Sequence, residues 1–96
     1  MSMIDLLDIK TPLDTCTDVA RRAKERRRAL GLTQPQLAAK SGVSLGSLRR
    51  FEQTGEISLH SLVRIAAALD CQGDFDALFA AKAFRTIQEV IDAQRK

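Results

Sequence analysis

Ninety-six residues with 45% hydrophobic content are enough for one small core and exclude a second domain of ordinary size. The net charge of +3 is modest but uneven: residues 21–50 hold nine Lys and Arg against the single carboxylate of Glu25, between two flanks that are each net negative. A basic centre of this kind fits a polyanion partner; apolar runs far too short for a membrane span and the lack of a signal pattern lead to the expectation of a cytoplasmic protein.

Residues 1–10, MSMIDLLDIK, mix Ile4, Leu6, Leu7 and Ile9 with acidic side chains. That is too apolar for a disordered tail, and it predicts a segment that docks on the domain or on a partner subunit, as strand or as helix. The domain proper spans 11–72. Thr11 is an N-cap, Pro12 takes the first helical position and Asp14 lies in the first turn. One face of this helix runs through Leu13, Cys16, Ala20, Ala23, Arg27 and Leu30, in alternating steps of three and four, and Gly31 ends it. Arg27 interrupts the apolar stripe. A guanidinium there needs an acid, for which Glu52 is the best candidate, or it lies at the edge of the stripe and extends to solvent.

Residues 33–51 read as two short helices joined by a tight turn. Thr33 caps the first, Gln36 completes a capping box and Pro35 falls harmlessly in the first turn. Leu37 and Ala38 face inward, and the small Ala38 permits a close crossing. The helix runs to Lys40 or Ser41, Gly42 supplies the left-handed residue, and Val43 returns to the core. Ser44 caps the second helix, with Leu48 and Phe51 on its apolar side and Ser44, Gly46, Ser47, Arg49 and Arg50 on the other. After a turn at 53–56, Ser58 caps a fourth helix whose buried face is read as Leu59, Leu62, Ala66 and Leu69, with Val63 beside them. His60, the only histidine, is expected in its exposed first turn. In the extension 73–96, Asp74 is expected to cap a short helix with Phe75, Leu78 and Phe79. Phe84 and Arg85 read as extended, and a capping box at 86–89 opens a final helix with Ile87, Val90 and Ile91 apolar. That helix is too short to stand alone. The sum is an all-α fold of five to six helices.

Gln34, Leu37, Ala38, Gly42, Val43, Leu48 and Phe51, preceded by Leu30-Gly31-Leu32-Thr33, resemble the helix-turn-helix of the phage repressor/Cro superfamily, also called the xenobiotic-response-element family. The resemblance covers about residues 17–70. It implies a lambda-repressor-like bundle, an ion pair between the first helix and the end of the recognition helix (Arg27 with Glu52), and double-stranded DNA as partner. In such a motif the second helix enters the major groove N-terminal end first. Ser44, Leu45, Gly46, Ser47 and Arg50 are then the residues to reach bases. Arg50 leads, because arginine binds guanine O6 and N7 bidentately. Leu45 could touch a thymine methyl. Many family members carry longer polar residues at the positions of Leu45 and Gly46, which shifts readout toward Arg50. Thr33 and Gln34, at the start of the first motif helix, would clamp a phosphate. Lys40, Arg49 and part of the cluster at 21–28 would supply attraction that is blind to sequence.

No catalytic pattern is present: no phosphate-binding loop, no paired-histidine metal site and no nucleophile elbow. Cys16 and Cys71 lack metal-ligand spacing and read as reduced, buried thiols. Asp74 and Asp76 lack the other ligands of a calcium loop. Neither enzyme activity nor a cofactor is expected. One motif buries little surface on DNA, so a two-fold dimer on a palindrome is expected, joined through residues 1–10 and those after 72. Residues 44–69 further resemble HipB-type antitoxins, in Arg49-Arg50-Phe51-Glu52, Thr54-Gly55 and Ile57-Ser58-Leu59. That resemblance implies a HipA-like kinase toxin as a second partner. The alternatives are a free-standing regulator, a phage or restriction-modification controller, and a protein-interaction module that keeps the scaffold without binding DNA.

Overall fold

Four hydroxyl side chains set where the main helices begin. Thr11, Thr33, Ser44 and Ser58 each accept a hydrogen bond from the backbone N–H three residues on, and at Thr11 and Thr33 the reciprocal bond completes a capping box. The computed structural model describes residues 9–81 and 87–94. These form α1 (Pro12–Ala29), α2 (Gln34–Ser41), α3 (Leu45–Thr54), α4 (Leu59–Ala68), a 3-10 helix (Gln72–Ala77) and α5 (Ile87–Gln94), with no strand among the described residues. The fold is all-α, as the periodicity and capping signals require.

Packing centres on α2 and α3. α1 lies against α3, α2 contacts both α3 and α4, and the 3-10 helix covers part of α4. Leu37 of α2, Leu48 and Phe51 of α3 and Ile65 of α4 are the largest fully buried side chains. Ala20, Ala38, Val43 and Leu69 fill the spaces between them. Ala38 is buried where α2 meets its neighbours, and a larger side chain there would force the helices apart. Among the described residues no helix is long and apolar enough to cross a membrane.

Several sequence expectations need correction. Leu13 (64% exposed), Cys16 and Leu30 are exposed, so only the middle of the α1 stripe, at Ala20, Ala23 and Arg27, is covered. Leu59 is exposed, and Ile65, which the sequence reading left out, is the best buried residue of α4. In both helices the periodicity picks the right side, but the first turns project beyond the elements that cover the rest. Cys16 is therefore not a buried thiol, and Cys71 is only half-buried. Asp74 does not cap the short helix, which starts two residues earlier, at Gln72, without a side-chain cap. Phe79, in a left-handed conformation just past that helix, is 95% exposed. Of the expected docking segment only Ile9 and Lys10 are described. Phe84, Arg85 and Thr86, and the side chains of Ile87 and Val90, lie outside the described residues.

Two glycines test how tightly α1 is seated. Gly31 and Gly55 both have positive φ, +72° and +79°. A Cβ at Gly31 would meet nothing within 4 Å, whereas one at Gly55 would lie 2.9 Å from the carbonyl carbon of Cys16. Gly31→Ala should cost roughly 1–2 kcal/mol, the penalty of a left-handed non-glycine residue. Gly55→Ala should cost clearly more, because the α1 backbone must also move. Urea denaturation of both variants checks this, and equal losses would mean that α1 yields freely at Cys16.

Candidate nucleic-acid interface

The surface formed by α2 and α3 is supported from beneath by one polar cluster. Arg27 Nε donates to Glu52 Oε2 at 2.8 Å, and Arg27 Nη2 donates to Glu52 Oε1 at 2.9 Å. Gln34 Nε2 donates to the same Oε1 at 3.0 Å, and Arg27 Nη1 donates to the Leu32 carbonyl at 2.9 Å. The side chains of Arg27 and Glu52 are 8% and 3% exposed. Burial by itself pushes the Glu52 carboxyl up. The hydrogen bonds from Arg27 and Gln34, with the charges of Arg27 and Lys24, outweigh burial and hold its pKa below the ordinary value.

This arrangement changes the role assigned to Gln34. Its side chain is partly buried, with Nε2 committed to Glu52 and Oε1 accepting from Arg49 Nε at 3.4 Å. Its backbone N–H, in the first turn of α2 where no helical acceptor exists, and the second hydrogen of Nε2 remain as donors. Thr33 Oγ1 accepts from Gln36 N–H at 3.2 Å and keeps its hydroxyl proton as a donor. Ser41, read from the sequence only as a possible helix end, has a structural role. Its buried Oγ donates to the Ala38 carbonyl and accepts from Val43 N–H at 3.2 Å, which fixes the turn between α2 and α3. The only signal for it was the general preference of serine for bonding nearby backbone.

On the outer side of α3, Ser44, Gly46, Ser47, Arg49 and Arg50 are exposed, as is Lys40 at the end of α2. Ser44 Oγ accepts from Ser47 N–H and donates to Ser47 Oγ at 2.9 Å, so Ser47 keeps its own hydroxyl proton free. Leu45 is half-buried, packed in part on the core. It takes the first position of α3, one turn before the buried Leu48. Ser47 and Arg50 wall a shallow depression with Glu56 and Ser58. Arg50 is paired with Glu56, Nε to Oε2 at 3.0 Å, an acid that the sequence reading assigned only to a turn.

The basic cluster divides into structural and free members. Arg27 is internal. Arg26 Nε donates to the Leu69 carbonyl at the end of α4, where a cation also suits the helix dipole. Arg21 pairs with Glu25 and Asp18. Arg22, Lys24, Arg28, Lys40 and Arg49 have no acidic partner among the described residues.

Residues 24–75, more than half of the chain, match a family model described as Helix-turn-helix. No curated protein and no solved structure matches the chain.

The buried pair carries a prediction. Glu52→Ala strands the Arg27 guanidinium and should destabilise the fold by about 3–5 kcal/mol; a variant melting within a degree of the wild type would refute it. The folded-state pKa of Glu52 is lowered, so its contribution is complete above the ordinary carboxylate range of about pH 4. It is lost as the pH falls through the lowered value. Stability measured from neutral pH downward should therefore fall more steeply in the wild type than in Glu52→Gln.

Proposed function

The chain belongs to the helix-turn-helix family of DNA-binding regulatory domains, and on that premise we propose that it is a transcriptional repressor binding a palindromic operator as a dimer. The observation that carries this reading is the outer side of α3. It exposes Ser44, Ser47, Arg49 and Arg50 in the most basic part of the chain and is held rigidly by Glu52 from below. Arg50 and Ser47 are the base readers. Leu45 is half-buried and can offer at most an apolar contact to a thymine methyl, and Gly46 has no side chain, so readout concentrates on these two. The Gln34 N–H and Arg49 clamp one phosphate, while Lys40 and Arg28 attract the backbone without regard to sequence.

A dimer supplies the contact area that one motif lacks. It is supported by apolar surface toward the ends of the described chain: Ile9, Leu78, Phe79 and Ile91 are 56%, 52%, 95% and 37% exposed. An exposed phenylalanine with leucine beside it is the kind of surface that partners cover. The antitoxin reading rests on the HipB-like residues 49–52, 54–55 and 57–59. It requires a HipA-like kinase in the adjacent reading frame and a complex with that kinase that leaves the α3 surface open.

Arg50→Ala should lose about 1–3 kcal/mol on the cognate site and relax preference at one base pair. Lys40→Ala should weaken binding to all sequences alike and reduce the salt slope by about one. Titrations on specific and unrelated duplexes at several salt concentrations separate the two, and equal, sequence-blind losses would make Arg50 a mere phosphate contact. For assembly, mass measurement at micromolar concentration should show a dimer for the full chain and a monomer for a chain ending near residue 82. If the shortened chain dimerises equally well, the C-terminal helix serves another protein.

A further inference from the structure

The turn after α3 brings a carboxylate onto the surface that would face DNA. Arg50 Nε and Nη2 both donate to Glu56 Oε2, the former at 3.0 Å. The turn itself is pinned. Thr54 Oγ1 donates to the Arg50 carbonyl at 2.7 Å and accepts from Glu56 N–H at 3.1 Å. Gly55 sits directly on the α1 backbone at Cys16. The Glu56 backbone therefore holds a fixed place relative to the last turn of α3. The two side chains are 69% and 61% exposed, so the pair contributes little to folding.

Its effect falls on the guanidinium. Nε and Nη2 form one edge of the planar fork, and Glu56 occupies that edge. Nη1 and the second hydrogen of Nη2 form the outer end, and they have no partner among the described residues. Two parallel N–H groups of this kind match O6 and N7 of guanine.

Resting on the DNA-binding reading above, we propose that Glu56 is a positioning residue for base recognition, holding the Nε edge of Arg50 so that its outer end meets a guanine. An arginine already ordered loses less side-chain freedom on binding. The carboxylate also neutralises Arg50 as a phosphate ligand and repels nearby phosphates, so it weakens binding to unrelated DNA. Discrimination is raised by lowering the affinity of the wrong complex as well as by improving the right one.

The test is selection of bound sequences from a random duplex DNA pool by the full chain, as wild type, E56A, E56Q, R50A and R50A/E56A. It is accompanied by melting curves and by titration of an unrelated duplex. The wild type should enrich a site with a guanine at the position that R50A relaxes. E56A should melt with the wild type and keep the rest of the site, but lose about tenfold of its guanine preference there. It should also bind the unrelated duplex more tightly. E56Q retains an oxygen to accept from Arg50, so it should keep most of the guanine preference while sharing the gain on unrelated DNA. In the R50A background, E56A should change no base preference. An unchanged guanine preference in E56A overturns the proposal while leaving DNA binding intact, as does a loss spread over many positions. Enrichment of no sequence by the wild type overturns the DNA-binding reading, and this proposal with it.

Discussion

A buried carboxylate shared by three helices is the constraint on which the rest depends. Glu52 of α3 accepts from Arg27 of α1 and Gln34 of α2, and Arg27 also reaches the Leu32 carbonyl in the link between α1 and α2. An ion pair that must be desolvated adds little net stability over an apolar substitute, but it admits few geometries. Here the geometry it selects is the mutual placement of α2 and α3. Apolar contacts among Leu37, Leu48 and Phe51 could tolerate small slides of one helix over the other. A three-way hydrogen-bonded cluster cannot, because each slide leaves a buried donor or acceptor unpaired.

The same cluster reallocates charge. Arginine counted along the chain overstates the positive surface, since Arg27 is spent inside and Arg26 closes the end of α4. Arg50 is partly offset by Glu56. What remains among the described residues is a moderate positive field from Arg22, Lys24, Arg28, Lys40, Arg49 and Arg64. A field of that size suits reversible binding that salt can tune better than tight adhesion to any polyanion.

Local chemistry was legible in the sequence. Caps at Thr11, Thr33, Ser44 and Ser58 and the left-handed Gly42 depend on neighbours a few residues away, so the helix boundaries could be read almost directly. Arg27 stood out because a charge within an apolar stripe demands an explanation. Facts that depend on how far one element extends over another were not legible. Periodicity shows which side of a helix is apolar, but not that the first turns at Leu13 and Leu59 project past their cover. The double commitment of Gln34, the turn-holding Ser41 and the pairing of Glu56 with Arg50 each need a partner set by tertiary placement.

Arg26 and Arg27 are adjacent on α1, yet they serve different helices. Arg27 points to the recognition helix, and Arg26 points to the Leu69 carbonyl, just ahead of the 3-10 helix. A helix advances about 100° per residue, so successive side chains leave it in nearly perpendicular directions. α1 thereby acts as a lever fixed at two points: a rotation about its own axis disturbs both attachments at once. The seat of α1 is thus fixed toward both α3 and the end of α4 through two consecutive arginines.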